Sequence, residues 1–223
     1  MSRRLGLALG LLAAWPAAAE LPADRAVASD APPEGLDPVV LARAREAHAC
    51  ARARGDLEGA AHPDHLAIID FARPSTDTRL WVLDVAAGRL LLASRVAHGQ
   101  RTGELTAAAF SNLPGSHQSS LGVFRTAETY LGKHGRSLRL DGLEPGINDL
   151  ARERAIVVHG ADYATEDFVD RHGRLGRSWG CPAVAPDVVD PLLDALEGGA
   201  LLVAHYPDAD WLQSSTYLSC DAR

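Results

Sequence analysis

The chain contains 223 residues, of which 47% are hydrophobic and 23% are charged, and its formal net charge is −7 at pH 7. This length suits one folded domain that follows an export signal, and the composition is ordinary for a globular protein with a core of its own. An acidic protein binds nucleic acid and anionic membrane surfaces poorly, so we expect neither as a partner.

The first 19 residues have the three regions of a secretory signal peptide. Arg3 and Arg4 precede a short apolar run at 5–15, and three alanines at 17–19 follow it. This order predicts cleavage near Ala19. The apolar run is shorter than the roughly 20 residues that cross a bilayer, so a stable membrane span is not expected. We therefore predict an exported protein of the periplasm or cell envelope.

The next predicted unit is a lead-in and helix over residues 20–59. Asp37 is suited to cap a helix whose first turn contains Pro38, and the pattern runs to about Arg54 and stops at Gly55.

A domain is then predicted over 60–207, followed by a tail at 208–223. The first three predicted strands of this domain form a meander. A short helix is expected at 147–154 and a longer one at 186–197. The fold class is β-rich α+β with packed mixed β-sheets. The predicted strands lie at 65–71, 79–85, 89–97, 120–126, 155–159 and 200–206.

Two segments carry the residues suited to nucleophilic chemistry. His159 ends an apolar strand, and Cys181 follows it by 22 positions in the sequence Gly-Arg-Ser-Trp-Gly-Cys. A thiolate is a strong nucleophile, and a neighbouring imidazole lowers the thiol pKa by forming an ion pair with it. The histidine can then protonate a leaving amine, and Gly180 leaves room for a substrate backbone. From spacing alone, a structural histidine and an inert buried cysteine remain the alternative.

Several ordered motifs resemble those of a known family. His159-Gly160 followed by Ser178-Trp179-Gly180-Cys181 resembles the motif of YkuD-type L,D-transpeptidases. The chain is similar in particular to the murein L,D-transpeptidase catalytic-domain branch. That similarity runs through residues 110–112, 119–122, 130–135, 138–143, 148–149 and 173–184.

The resemblance implies an activity and its partners. Cys181 would attack a peptidoglycan stem peptide at its diaminopimelate carbonyl, releasing the terminal D-alanine. The acyl group would then pass to an amine of another stem, forming a crosslink. Donor and acceptor stem peptides are thus the expected partners. The protein itself is expected to be a monomer. No cofactor is implied, and no metal is expected because no further ligands accompany His62 and His65.

The chain departs from the better-known branches beside the nucleophile. Trp179 replaces a histidine, and Ala183 replaces an arginine or asparagine. Pro182 has no N–H, so we expect the oxyanion hole to use the N–H groups of Gly180 and Cys181. Because stem peptides carry carboxylates, Arg177 is a candidate substrate contact; a solvated surface loop is the alternative. The remaining predicted substrate-binding residues are Ser178, Trp179, Gly160, Tyr130 and Ser120.

Three alternatives to the transpeptidase stay open at this stage. An L,D-carboxypeptidase would form the same acyl-enzyme and pass it to water. An inactive wall-binding module would lack an intact Cys–His pair. A redox thiol protein is disfavoured because the sequence has no Cys-X-X-Cys motif.

The three cysteines also predict a disulfide. In an oxidising compartment they allow one bridge and leave one thiol over. Cys50 and Cys220 lie outside the motif core, on the predicted helix and in the tail. We therefore predict that these two are bridged and that Cys181 is free. An unpaired Cys50 and Cys220 remain the alternative.

Overall fold

The computed structural model describes residues 31–220. The signal peptide predicted at 1–19 therefore lies outside the described residues. Between residues 31 and 220, none of the helices combines the length and the apolar character that crossing a membrane requires.

The first helix, α1, forms where the sequence predicts it. It spans Pro38–Arg54, and the Asp37 carboxylate caps it by accepting a hydrogen bond from the Val39 N–H at 2.7 Å. Gly55 ends the helix at a φ of 81°, a left-handed conformation that a residue without a Cβ adopts without strain. One face of α1 is buried against strands β1 (His65–Asp70) and β8 (Leu201–His205).

Eight strands form one mixed sheet, which confirms the β-rich α+β class. The sheet order is β3-β2-β1-β8-β4-β5-β6-β7, so hydrogen bonds link all eight strands continuously. The predicted meander is confirmed by the antiparallel pairs β1–β2 and β2–β3. The strands other than β1 and β8 are β2 (Leu80–Asp84), β3 (Arg89–Ser94), β4 (Gly122–Gly132), β5 (Gly135–Gly142), β6 (Val157–Gly160) and β7 (Ala183–Val184).

The strand that is last in sequence lies inside the sheet. β8 pairs in parallel with β1 and antiparallel with β4, and every residue of β8 is buried. A strand covered on both faces must be apolar along its whole length, which explains the run Leu201, Leu202, Val203 and Ala204.

The edge strands of the sheet are β3 and β7, and the segment that follows β3 reaches β7. The Ala97 N–H donates to the Ala183 carbonyl of β7 at 2.7 Å, and the Ser178 N–H donates to the His98 carbonyl at 3.0 Å. The loop that carries Cys181 is therefore held between β6 and this segment.

The short helix predicted at 147–154 is wrong, because this region forms a series of turns. The Asn148 side chain binds backbone groups outside this segment. Its Oδ1 accepts from the Glu144 N–H at 3.0 Å, and its Nδ2 donates to the carbonyls of Leu121 and Val123. These contacts fix the turns to the start of β4.

Three further helices complete the described chain. The helix predicted at 186–197 is present as α3 (Pro186–Leu196), whereas α2 (Glu166–His172) and α4 (Ala209–Ser214) were not predicted. A 3₁₀-helix at Asp162–Ala164 precedes α2.

A disulfide joins Cys50 of α1 to Cys220 in the structure, across 170 residues of sequence, and Cys181 is free. In the chain-entropy account, closing a loop of this length stabilises the folded protein by about 5 kcal/mol. Measured stabilisation by disulfides is often smaller than this account gives. In protein made in an oxidising compartment, we expect thiol counting without reduction to find one free thiol. Peptide mapping should place that thiol at Cys181. Three free thiols, or a bridge that includes Cys181, would contradict this pairing.

Candidate active site

The structure brings Cys181 and His159 to the wall of one cavity of about 430 Å³. We call it the Cys181 cavity. Its walls come from the tip of the β4–β5 hairpin, from the start and end of β6, and from the loop that precedes β7. Its lining residues are Tyr130, Lys133, His134, Ser137, Arg154, Ala155, Val157, His159, Tyr163, Arg177, Ser178, Trp179 and Cys181.

His159 is held by its backbone and by one ring nitrogen. β6 pairs in parallel with β7, with His159 opposite Ala183, and the His159 N–H donates to the Pro182 carbonyl at 3.3 Å. The Nδ1 atom lies 2.9 Å from the Gly160 carbonyl oxygen. A carbonyl only accepts, so Nδ1 carries the proton and Nε2 is left with a free lone pair. The imidazole is therefore prepared to act as a base through Nε2.

The Cys181 sulfur makes weak contacts with backbone groups of the facing segment. Sγ lies 3.5 Å from the Ala155 carbonyl oxygen, to which the thiol donates, and 3.5 Å from the Val157 N–H, from which it accepts. The residue is partly buried and is not in a disulfide. A free thiol with so few strong partners can reorient toward a bound substrate.

The pKa shifts of the pair oppose an ion pair in the resting protein. Burial raises the pKa of the Cys181 thiol, although the Val157 N–H, Arg154 and Lys133 partly counteract it. Burial also lowers the pKa of His159, and His134 and Lys133 lower it further. These directions favour a neutral thiol and a neutral imidazole over the thiolate–imidazolium pair expected from the sequence. The two residues line one cavity, and among residues 31–220 no hydrogen bond joins Cys181 Sγ to His159.

Ser178 fixes the turn that presents the cysteine. Its hydroxyl donates to the Cys181 carbonyl at 2.6 Å and accepts from the Gly180 N–H at 3.0 Å. The Gly180 N–H is therefore already engaged, which contradicts its predicted role as a free oxyanion donor in this conformation. The Cys181 N–H lies beside its own sulfur and remains the candidate donor.

Packing within the protein requires glycine at position 180. Gly180 has a φ of 123°, and a Cβ there would lie 2.7 Å from the Gln118 carbonyl oxygen. The loop before β4 thus approaches the cysteine turn too closely for any side chain. That Gly180 also makes room for a substrate backbone stays a prediction.

Arg154 is the residue that sequence reasoning missed. Its half-buried guanidinium donates to the backbone carbonyls of Ser111 and Gln118 and to the hydroxyls of Ser116 and Ser120. It thereby clamps the loop before β4 beside the cavity. The cluster of serines at 111–120 was the available signal, because buried serine hydroxyls need polar partners.

Ser120 does not lie in the Cys181 cavity, which corrects its prediction as a substrate-binding residue. It is 4% exposed, and its hydroxyl donates to the Ser111 carbonyl at 3.0 Å while accepting from Arg154. Gly160 is also absent from the cavity lining, and its carbonyl instead orients His159. Tyr130, Ser178, Trp179 and Arg177 do line the cavity.

Trp179 is 66% exposed at the mouth of the cavity, so packing in a core does not explain it. Its ring stacks on His117, with ring centroids 4.9 Å apart and an interplanar angle of 5°. The Lys133 ammonium lies 5.4 Å from the Trp179 ring centroid. Three separate segments therefore meet at this indole.

Arg177 is tied to the protein itself. Its guanidinium pairs with the Glu104 carboxylate and donates to the carbonyls of Gln100 and Gly103. Arg171 lies on α2, is exposed and does not line the cavity.

We expect Arg177→Ala to lower kcat/KM and the melting temperature, and Arg171→Ala to change neither. A hydrogen bond to a charged group contributes about 1.5–3 kcal/mol, whereas a fully solvated charge contributes close to zero. Paired measurements of turnover and thermal unfolding on both variants check this difference. Equal and negligible effects would show that Arg177 belongs to a solvated surface only.

The comparisons with known proteins agree with the motifs. The family model described as the L,D-transpeptidase catalytic domain matches residues 34–205. No curated protein matches the chain.

Several solved structures are similar to this chain at low sequence identity. An L,D-transpeptidase from Mycobacterium smegmatis has a TM-score of 0.40 and 15% identity, covering 64% of this chain and 59% of its own. The helical cell shape determining protein Pgp2 from Campylobacter jejuni has a TM-score of 0.42 and 12% identity, covering 74% and 57%. An Enterococcus faecium L,D-transpeptidase has a TM-score of 0.38 and 15% identity, covering 64% and 50%. The chain thus spans less than two thirds of each of these structures.

Proposed function

Because the chain belongs to the L,D-transpeptidase catalytic-domain family, we propose that it is an exported cysteine L,D-transpeptidase acting on peptidoglycan stem peptides. Cys181 is the nucleophile and His159 is the base. The observation that carries the proposal is the shared cavity, which is lined both by a free thiol and by an imidazole whose Nδ1 is already committed to the Gly160 carbonyl.

The first half-reaction forms a thioester. Cys181 Sγ attacks the carbonyl carbon of the diaminopimelate residue while its proton moves to His159 Nε2. The carbonyl oxygen becomes an oxyanion that the Cys181 N–H is placed to stabilise. The C–N bond then breaks, and the leaving D-alanine amine takes the proton from His159. Starting from the neutral pair requires no charged thiolate before substrate binds.

The second half-reaction returns the enzyme to its starting state. An amine of a second stem attacks the thioester, and His159 Nε2 accepts a proton from it. The C–S bond breaks, and the sulfur recovers its proton from the imidazolium. One amide is broken and one is made, so the reaction needs no external energy source.

The charge of the cavity suits this substrate. Its lining contains Lys133, Arg154 and Arg177 but no aspartate or glutamate, although the whole chain is acidic. Stem peptides carry several carboxylates, and a cationic cavity attracts them. The predicted signal peptide would deliver the protein to the compartment that contains these peptides.

Incubation of the protein with disaccharide tetrapeptides, followed by mass spectrometry, tests the function. The expected products are D-alanine and a dimer that has lost one D-alanine. The Cys181→Ala variant serves as the control. Tripeptide monomers alone would identify an L,D-carboxypeptidase, and release of no D-alanine would identify an inactive wall-binding module.

A further inference from the structure

Lys133 is the only lysine in the sequence, among 22 lysine and arginine residues in total. It lies at the tip of the β4–β5 hairpin, in the turn between Gly132 and Gly135. This turn reaches over the Cys181 cavity, and Lys133 lines the cavity mouth. The hairpin therefore presents to the cavity the one ammonium side chain of the sequence. Every other permanently charged cationic side chain is an arginine guanidinium.

The other two permanent cations of the cavity already have oxygen partners. Arg154 donates to two carbonyls and two hydroxyls of the loop before β4, and Arg177 is bound by Glu104 and two carbonyls. Within residues 31–220, the Lys133 ammonium makes no ion pair and no hydrogen bond. It makes a cation–π contact with the Trp179 ring. Of the three, Lys133 alone is free to bind an anion.

The ammonium lines the same cavity as the reacting groups. Burial is the largest influence on the pKa of both Cys181 and His159, and Lys133 is among the charges that lower both. The Trp179 ring, stacked on His117, lies beside the ammonium. A carboxylate bound by Lys133 would thus lie in the cavity that Cys181 and His159 also line.

We propose that Lys133 determines donor specificity by binding the terminal carboxylate of the leaving residue. The inference rests on the proposed function, in which the leaving D-alanine carries that carboxylate one residue beyond the scissile carbonyl. An ammonium is a compact charge with three donors, so it can bind a carboxylate without the fixed planar alignment that arginine needs. The enzyme would then select chain ends over internal peptide bonds.

Paired kinetics on two matched peptides test this role. One is the stem tetrapeptide acid, and the other ends in D-alaninamide, which differs only in the missing charge. We expect the wild-type protein to prefer the acid by about tenfold, as for a hydrogen bond between charged groups. Lys133→Met, which keeps a side chain of similar length without the charge, should lose the preference, with kcat/KM falling further on the acid than on the amide. Lys133→Arg should keep most of the preference, and Arg171→Ala all of it.

A third peptide separates the two possible sources of the carboxylate. It keeps the terminal acid but has the diaminopimelate carboxylate amidated. If the effect of Lys133→Met disappears on this peptide and persists on the D-alaninamide peptide, the leaving residue is not the ligand and the inference is overturned. An equal acid-to-amide ratio in wild type and Lys133→Met also overturns it, while leaving the proposed function intact. Absence of wild-type turnover on the tetrapeptide acid would instead overturn the proposed function, and the inference with it.

Discussion

Cys181→Ala and Cys181→Ser are each expected to abolish release of D-alanine from stem tetrapeptides while the protein stays folded. In the proposed mechanism the thiol is the attacking group, and a serine hydroxyl ionises far less readily than a thiol. Ser178 cannot replace it, because its hydroxyl is engaged by the Cys181 carbonyl and the Gly180 N–H. The two contacts that Sγ makes are 3.5 Å long, so their loss should change the free energy of unfolding by less than about 1 kcal/mol.

Intact-mass measurement after exposure to a carbapenem provides a second readout on the same variants. The family resemblance implies acylation of the active cysteine by this class of β-lactam. One adduct is expected on the parent protein and none on Cys181→Ala, with circular dichroism confirming that both are folded. An adduct on the alanine variant, or near-normal turnover by either variant, would assign the nucleophile to another residue.

Elements with strong local signals could be predicted from the sequence. The Asp37 cap, Pro38 and Gly55 determine α1 through contacts within a few residues of the chain. The buried strands β1 and β8 are continuous apolar runs bounded by turn residues, which makes them visible in any reading of the sequence. Their position side by side in the sheet is a tertiary result that no local pattern contains.

The hairpin that shapes the cavity was missed for a physical reason. In β5, Leu138 and Leu140 are buried while the residues between and around them are polar or glycine. This strand has few apolar residues, and its partner β4 continues through a polar half to Gly132. Pairing between the two strands stabilises both, so β5 and the second half of β4 are not evident alone, although the strand predicted at 120–126 includes the first half of β4.

The electrostatic state of the site also could not come from sequence. The spacing of His159 and Cys181 indicates chemistry, but the direction of each pKa shift depends on burial, which is a property of the folded chain. The role of Arg154 could not be predicted from the sequence either, because its four oxygen partners come from a loop more than 30 positions earlier in the sequence.

His159→Gln is expected to lower kcat by about 10²–10⁴-fold, the range that general base catalysis contributes, with the fold retained. His159 must be neutral to accept the thiol proton. Burial first, then His134 and Lys133, hold its pKa below the ordinary value. The wild-type rate should therefore fall as the pH drops through a pKa lower than the usual histidine value of about 6.5. In His159→Gln this acidic limb should disappear.

His134→Gln is the matched control for this assignment. The His134 ring stacks on His159 with centroids 4.3 Å apart, and His134 lowers the pKa of His159. Removing His134 takes away both a repelling charge and some burial, so the pKa of His159 should rise. The acidic limb should then move to higher pH while most of the rate at pH 8 is kept. A loss below about tenfold in His159→Gln, or an acidic limb that survives in it, would place the base elsewhere, since general base catalysis contributes more.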